Sequence, residues 1–312
     1  MTVSNLANVR QISVGTEHSY ALLFDGMVKC WGNRADGRLG DAITTGSSLP
    51  VTVPDLTDVV QVSAGLRHTC VVLGNKTAQC WGFGEDGRLG DGYAFSRLSP
   101  VTVQGLANVR QITAGSSRTC AVLHDNTAWC WGGASYSVLI GDGDSSTQPR
   151  LTPTQVVGLT TAVQISATGQ LHSCAALSSG PPKCWGVGIY RVLGTGNANH
   201  SGIPIAVTTI ANAKQVETAA SHTCAALNDG TAWCWGHGDD GRLGDGEKLE
   251  RSSPVKVSGL SNVEHVATTG AHSCALLTDG SVKCWGKNNR GQLGDGSKIE
   301  HTTPVTVVFQ TM

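Results

Sequence analysis

The sequence VVQVSAGLRHTCVVLGNKTAQCWGFGEDGRLGDGYAFSRLSPVTVQGL at residues 59–106 contains four short apolar segments, each typical of a β-strand. They are VVQVSAG, HTCVVL, TAQCWG and PVTV. The place of LGNKTA, between the second and third segments, is taken elsewhere in the chain by LFDGMV, LNDGTA and LTDGSV. Asp-Gly between apolar runs is typical of a tight hairpin, because glycine adopts a positive φ without steric cost. The stretch therefore predicts four antiparallel strands.

The same pattern recurs along the whole chain. The tripeptide CWG places its tryptophan at 31, 81, 131, 185, 235 and 285, at intervals of 50, 50, 54, 50 and 50 residues. Four short strands in each of six units predict an all-β fold, a six-bladed β-propeller of four-stranded antiparallel blades, in one domain over residues 1–312. The last strand, VTVV at 305–308, has no following unit. We expect it to pair into blade one and close the ring, since closure removes open sheet edges.

The composition limits the classes of function. The chain has 22 Lys and Arg against 23 Asp and Glu, so we expect no nucleic-acid partner, because such partners select for a basic surface. No apolar run approaches the roughly 18 residues of a membrane span, and we expect no membrane insertion. The N-terminus lacks the basic segment and apolar core of a signal peptide, so an export signal would have to lie outside this sequence. A monomer is expected.

Eleven cysteines follow the repeat. Five units have two cysteines ten residues apart, on either side of a predicted hairpin. These pairs are Cys70 with Cys80, Cys120 with Cys130, Cys174 with Cys184, Cys224 with Cys234, and Cys274 with Cys284. Opposed positions in an antiparallel pair can form a disulfide, so we predict five intra-blade disulfides. Unit one has Tyr20 at the first position, which leaves Cys30 as a free thiol.

Two other states of the cysteines are alternatives to disulfides. Buried free thiols are the main alternative. Zinc is disfavoured, because its sites need four ligands at closer spacing. Disulfides at this density predict an extracellular, cell-surface or periplasmic location.

The segments AGLRHTCVVL, WGFGEDGRLGDG and GAHSCALLTDGSVKCWGKNNRGQLGDG resemble the repeat of the regulator of chromosome condensation family. All six units take part in this resemblance. The family includes an exchange factor for a small GTPase, a plant ultraviolet-B photoreceptor and secreted bacterial inhibitors of β-lactamase. The resemblance thus implies a propeller that binds a protein through one face of its disc. Its best-known members have seven blades, so six is a departure, and the predicted disulfides disfavour the nuclear exchange-factor role.

Loops that differ on a repeated scaffold are candidates for partner binding. The variable loops before the repeated histidine and the neighbouring loops supply our candidates, which are Glu17, Arg67, Arg118, Gln170, Leu171, Tyr136 and Tyr190. The two tyrosines are included because blade three has a longer loop after Gly132, and because we interpret Ile189-Tyr190-Arg191 as an addition in blade four. Drift in solvated loops is the alternative interpretation. The sequence therefore favours a protein-binding scaffold that uses one face of the disc.

Two other functions remain as alternatives. Trp129 and Trp233 occupy a position that is Lys or Gln in the other units, so they could stack on a sugar in a carbohydrate-binding propeller, or pack over a neighbouring strand. An enzyme, such as a lyase or hydrolase, would need an axial active site. No P-loop, G-x-S-x-G or H-E-x-x-H motif occurs, so we predict no enzyme and no cofactor.

Two repeated features are better explained by a structural role than by metal binding. One position is histidine in five units, at 18, 68, 172, 222 and 272, and is Arg118 in the remaining unit. We expect these side chains to bind a backbone group in their own blade and not a metal. The segment D-G-R-L-G-D-G superficially resembles a calcium loop, but turn-forming Asp and Gly explain it.

Overall fold

The computed structural model describes residues 3–43, 45–133, 137–144 and 146–309. Within these residues the chain forms six four-stranded antiparallel sheets, each with its strands in sequence order. This confirms the predicted six-bladed β-propeller fold. The contacts divide the chain into two compact units, residues 1–160 and 161–312. A single domain over residues 1–312 stays a prediction.

The first unit contains blades one to three. Blade one consists of β1 (Val9–Val14), β2 (His18–Leu23), β3 (Val28–Gly32) and β4 (Ser47–Thr52). Blade two consists of β5 (Val59–Ala64), β6 (His68–Leu73), β7 (Ala78–Gly82) and β8 (Arg97–Thr102). Blade three consists of β9 (Val109–Ala114), β10 (Arg118–Leu123), β11 (Ala128–Gly132) and β12 (Arg150–Gln155). Short 3-10 turns follow the third strands, at Ala35–Gly37, Glu85–Gly87 and Ser137–Leu139.

The second unit contains blades four to six. Blade four consists of β13 (Ala162–Ser166), β14 (His172–Leu177), β15 (Lys183–Gly186) and β16 (Ser201–Ala206). Blade five consists of β17 (Ala213–Thr218), β18 (His222–Leu227), β19 (Ala232–Gly236) and β20 (Arg251–Lys256). Blade six consists of β21 (Val263–Thr268), β22 (His272–Leu277), β23 (Val282–Gly286) and β24 (His301–Thr306). The 3-10 turns here are Ile189–Arg191 and Asp239–Gly241.

The C-terminal strand does not pair as the sequence predicted. β24 is paired with β23, where Cys284 lies opposite Val305. Blade one has its own fourth strand, β4, in which Val51 lies opposite Cys30. Since every unit carries its own fourth strand after CWG, blade one has no vacant place for the last strand. The predicted pairing of the C-terminal strand into blade one is therefore wrong.

The five predicted disulfides are confirmed. Each joins directly opposed residues of the second and third strands of a blade, with Cα atoms 4.0–4.1 Å apart in all five. They are Cys70 with Cys80, Cys120 with Cys130, Cys174 with Cys184, Cys224 with Cys234, and Cys274 with Cys284. The strand register places the two cysteines of each pair opposite one another, so the bridge forms without a change in backbone pairing.

Blade one has a free thiol in place of the disulfide, also as predicted. Cys30 is buried and lies opposite Tyr20 in the strand pairing. Burial raises the pKa of Cys30 to about 12, so the group stays a thiol. The Tyr20 hydroxyl accepts a hydrogen bond from Trp81 Nε1 at 2.9 Å, which connects blade one to blade two.

The repeated histidines connect neighbouring blades within each unit. His68 Nε2 lies 2.8 Å from Thr119 Oγ1, which donates to the Arg88 carbonyl at 2.7 Å. Because the hydroxyl has one proton and gives it to the carbonyl, the histidine must be the donor. The equivalent pairs are His18–Thr69, His172–Thr223 and His222–Ser273. The expected partner, a backbone group in the same blade, is wrong, because blade-to-blade packing brings a hydroxyl of the next blade closer.

Candidate functional site

A 3-10 turn after the third strand differs between blades in sequence but not in backbone conformation. It ends in Asp-Gly-Arg in blades one, two and five, and in Tyr190-Arg191-Val192 in blade four. The φ and ψ of Arg88 are −62° and −14°, and those of Val192 are −63° and −15°. The tripeptide of blade four is thus a replacement and not an insertion, which corrects the interpretation from sequence.

The arginine of this turn, in blades two and five, donates to the loop that precedes the second strand of the next blade. In blade two, Arg88 forms an ion pair with Asp86 at 2.8 Å and donates through Nη1 to the Ser116 carbonyl at 2.5 Å. In blade five, Arg242 donates to the Gly270 carbonyl at 3.2 Å. Their side chains are only 5% and 8% exposed. The guanidinium is therefore buried between two blades and connects them by a hydrogen bond.

Blade four lacks this guanidinium. The Val192 carbonyl still accepts hydrogen bonds from Thr223 Oγ1 at 3.0 Å and Trp235 Nε1 at 2.8 Å, as the Arg88 carbonyl does from its own neighbours. Only the side chain has changed at a fixed backbone position. A groove of about 400 Å³ lies at the junction of blades four and five, and its lining residues are Gln170, Leu171, Ile189, Tyr190, Ala220, Ser221 and His237.

The groove has an aromatic wall and a charged rim. The rings of Tyr190 and His237 are stacked, with their centroids 4.8 Å apart. Tyr190 is 43% exposed and can therefore be contacted from outside. His237 Nε2 lies 3.1 Å from Asp239 Oδ2, and Arg191 forms an ion pair with Glu250 at 2.6 Å. Apolar, aromatic and polar groups thus converge in one concave surface, as is typical of binding sites.

The turn holds two side chains in an unfavourable backbone conformation. Tyr190 and Arg191 have φ values of 59° and 57°, in the left-handed region. Asp and Gly, which occupy these positions in blades one, two and five, tolerate that region better than Tyr and Arg do. Such strain costs on the order of 1–3 kcal/mol per residue and is concentrated at functional sites. The aromatic side chain of Tyr190 is therefore held in this turn at an energetic cost.

Three of the predicted partner-binding residues, Gln170, Leu171 and Tyr190, line this groove. Glu17 and Arg67 lie in the equivalent loops of the first unit. Glu17 accepts from Arg38 Nη1 at 3.2 Å, and Arg67 forms an ion pair with Asp36 at 2.8 Å. Tyr136 lies outside the described residues. Both loop charges of the first unit therefore have intramolecular partners.

Arg118 does not belong to a binding surface. It is the first residue of β10 and is completely buried, in the place that histidine occupies in the other blades. Burial lowers the pKa of Arg118 to about 9. Its assignment as a partner-binding residue is wrong, because its side chain lies in the protein interior and not in the loop before the strand.

The remaining candidates have structural environments. Trp129 and Trp233 are half-buried against hydrophobic clusters, and each indole N–H donates to a threonine hydroxyl, at 3.0 and 3.1 Å. The second aspartate of D-G-R-L-G-D-G forms ion pairs, as between Asp91 and Arg97 at 2.7 Å. Within the described part of the chain, no three His, Cys, Asp or Glu residues are grouped to hold a metal ion. No helix among those residues is long and apolar enough to span a membrane.

Sequence reasoning missed Val192 and His237. Alignment of the six units carries the signal for the first, since valine stands where three blades have arginine. His237 follows CWG directly, at a position that varies between units as Asn33, Phe83, Gly133, Val187, His237 and Lys287. Its ring becomes notable only once Tyr190 lies against it.

The chain is similar to a known family in sequence and to several solved structures in fold. The family model described as RCC1-like domain matches residues 1–312. The structure of human WBSCR16 is similar with a TM-score of 0.86 and 20% identity, over 98% of this chain and 83% of that chain. Yeast RCC1 (Prp20) bound to Kap60 has a TM-score of 0.83 and 19% identity, over 96% and 75% of the two chains. Prp20p from Saccharomyces cerevisiae, described with its binding properties to Gsp1p and histones, has a TM-score of 0.82 and 20% identity, over 96% and 76%. No curated protein sequence matches the chain.

Proposed function

The chain belongs to the RCC1-like domain family, and we propose that it is a secreted or surface-exposed scaffold that binds a protein partner at the groove of blades four and five. The observation that carries this proposal is the convergence of Gln170, Leu171 and Tyr190 in one concave surface. Exposed aromatic and apolar side chains on a rigid framework are typical anchors of protein interfaces. Prp20, a similar structure, binds the proteins Kap60, Gsp1p and histones, which supports protein binding as the class of function.

Two features support the details of this proposal. Five disulfides are typical of an oxidising compartment, and they favour an extracellular, periplasmic or cell-surface location. The repeated histidines are engaged in hydrogen bonds between blades, and burial lowers the pKa of His222 to about 3. A neutral, buried histidine is a poor general base. We therefore propose binding, and not turnover of a small substrate, as the activity of a monomeric chain.

Affinity capture from the native extracellular medium, with mass spectrometry, tests the proposal. The groove variant is Leu171→Asp with Tyr190→Ala. The matched control is Ile203→Asp, which changes an apolar residue that is 49% exposed on β16 of the same unit. We expect one protein to be enriched by the wild type and the control, and to fall about tenfold with the groove variant. Equal enrichment by all three would overturn the groove as the binding site. Binding to glycans that is lost in Trp129→Ala with Trp233→Ala would favour the carbohydrate alternative.

A further inference from the structure

We propose that the groove receives an arginine side chain of the partner protein, whose guanidinium takes the place that the chain's own arginines fill in blades one, two and five. This inference rests on the proposed function and names the partner's chemistry. Three junctions supply their own guanidinium, and the junction of blades four and five has Val192 at the same backbone position.

The groove retains the acceptor that a guanidinium would need. In blade two Arg88 donates to the Ser116 carbonyl, and in blade five Arg242 donates to the Gly270 carbonyl. Each of these carbonyls lies two residues before the second strand of the next blade. The equivalent carbonyl in the groove belongs to Ala220. Among the described residues no donor is hydrogen-bonded to it. A donor that is brought in by a partner would satisfy this carbonyl, as the chain's own arginines satisfy the equivalent ones.

The aromatic wall also suits a planar cation. Phe83 is the residue of blade two equivalent to His237, and guanidinium carbons lie over its ring at 3.7 Å for Arg67 and 4.7 Å for Arg88. In blade four, Tyr190 replaces the aspartate that pairs with the internal arginine elsewhere. A guanidinium stacks on aromatic rings and donates in its own plane at the same time, whereas an ammonium has no planar face.

The charges around the groove permit a further cation. Arg191 is paired with Glu250 at 2.6 Å, and Arg242 is paired with Asp240 at 2.8 Å, so both nearby cations are neutralised. Asp239, whose side chain is 67% exposed, lies 3.1 Å from the ring of His237 and leaves negative charge at the rim. Arginine is also among the residues that most often dominate the binding free energy of an interface.

The decisive variant restores the repeat. Tyr190→Asp, Arg191→Gly and Val192→Arg together give blade four the Asp-Gly-Arg turn with which three other blades fold. The new internal guanidinium should fill the groove. Arg191→Gly alone is the matched control, since it removes a backbone strain and leaves the groove open. Tyr190→Ser is a second test that does not depend on the triple variant folding, because it removes only an exposed ring.

The probes are the blocked peptides acetyl-Gly-Arg-Gly-amide, its lysine counterpart and its leucine counterpart, titrated into the ¹⁵N-labelled protein by NMR. We expect the arginine peptide to shift the amide signals of Leu171, Ser221 and His237, and to bind about tenfold more weakly to the triple variant and to Tyr190→Ser. Arg191→Gly should bind the arginine peptide at least as tightly as the wild type does, because it leaves the groove open and removes the cation that is paired with Glu250. The lysine and leucine peptides should bind the wild type more weakly than the arginine peptide.

The outcomes separate this inference from the proposed function. Equal binding of the arginine and leucine peptides, or undiminished arginine binding by the folded triple variant, would overturn the inference. If the triple variant loses the captured partner while no arginine peptide binds the wild type, the groove remains the binding site and only the arginine assignment fails. If the triple variant captures the partner as well as the wild type does, both proposals fail.

Discussion

Replacing Ser273 with alanine removes the hydroxyl that connects blade five to blade six. Ser273 Oγ lies 2.8 Å from His222 Nε2 and donates to the Arg242 carbonyl at 3.1 Å. The carbonyl keeps a second donor, Trp285 Nε1, at 2.9 Å. The hydrogen bond of Nε2 to Ser273 is the one that the ring of His222 makes, since its other ring nitrogen, Nδ1, has no hydrogen-bond partner. The substitution therefore leaves one fully buried donor unsatisfied.

The loss of stability can be calculated from this one unsatisfied donor, the Nε2–H group of His222. An unsatisfied buried donor costs about 1–3 kcal/mol, and we take about 2 kcal/mol for a neutral imidazole. With an unfolding entropy of about 2.1 cal/mol/K per residue, a cooperative unfolding of the 312 residues gives a decrease in Tm of about 3 °C. If residues 161–312 unfold separately, the decrease is about 6 °C.

Calorimetry of wild type, Ser273→Ala and a double variant that adds His222→Leu measures this cost. The double variant removes both polar partners, so it should recover part of the loss. Ser281→Ala is the control, since this exposed turn hydroxyl bonds only locally, to Asp279 at 2.6 Å, and should change the stability by less than about 0.5 kcal/mol. A Ser273→Ala protein that melts with the control, or a double variant less stable than Ser273→Ala, would refute the reasoning.

Three further predictions concern other parts of the chain. Burial raises the pKa of Glu217 to about 7, so the stability that this carboxyl contributes is present below its usual pKa of 4.5 and is lost as the pH rises through 7. Glu217→Gln should therefore raise the stability at about pH 8 by about 2 kcal/mol and have little effect at about pH 5. A pH dependence equal to that of the exposed control variant Glu264→Gln, in parallel denaturation curves, would contradict this. Alkylation with mass spectrometry should label no cysteine in the native protein, Cys30 alone after unfolding without reductant, and all 11 after reduction; labelling of more than one before reduction would contradict the disulfide assignment. Deleting residues 301–312 removes β24, so hydrogen exchange should accelerate in β23 and β22; faster exchange in β1 instead would restore the pairing that the sequence had predicted.

Local features were predictable because each depends on one hairpin. Cysteines ten residues apart around a tight turn are directly opposed, as Cys70 and Cys80 are, whatever the rest of the chain does. The same holds for Tyr20 opposite Cys30. Gln170, Leu171 and Tyr190 were also found, since they lie in loops whose sequence departs from that of the other units.

Features that depend on how blades pack were not predictable. The repeated histidine binds a hydroxyl 51 residues later in the chain, and a repeat pattern does not distinguish that partner from one in the same blade. Arg118 is a candidate by sequence because it adjoins a variable loop and arginine often anchors interfaces, yet at the first position of β10 its side chain is completely buried. The pairing of β24 depends on where each repeat begins, which the sequence alone leaves open. The strand order shows that each repeat begins at the first strand of its own sheet, so β24 belongs to blade six.

Two paired replacements in blade four differ in their outcome, since one leaves an open groove and the other does not. The aspartate and arginine that form the ion pair Asp91–Arg97 in blade two are replaced in blade four by Thr195 and Ser201. Both charges are lost together, and the Ser201 hydroxyl donates to the Ile203 carbonyl at 2.6 Å, so this site stays neutral and filled. The pair in the 3-10 turn is also replaced at both positions, but the side chain of Val192 has no donor for the Ala220 carbonyl, and Tyr190 keeps 43% of its surface exposed. This uncompensated loss, held by a strained turn, is the feature to which our proposal assigns a partner.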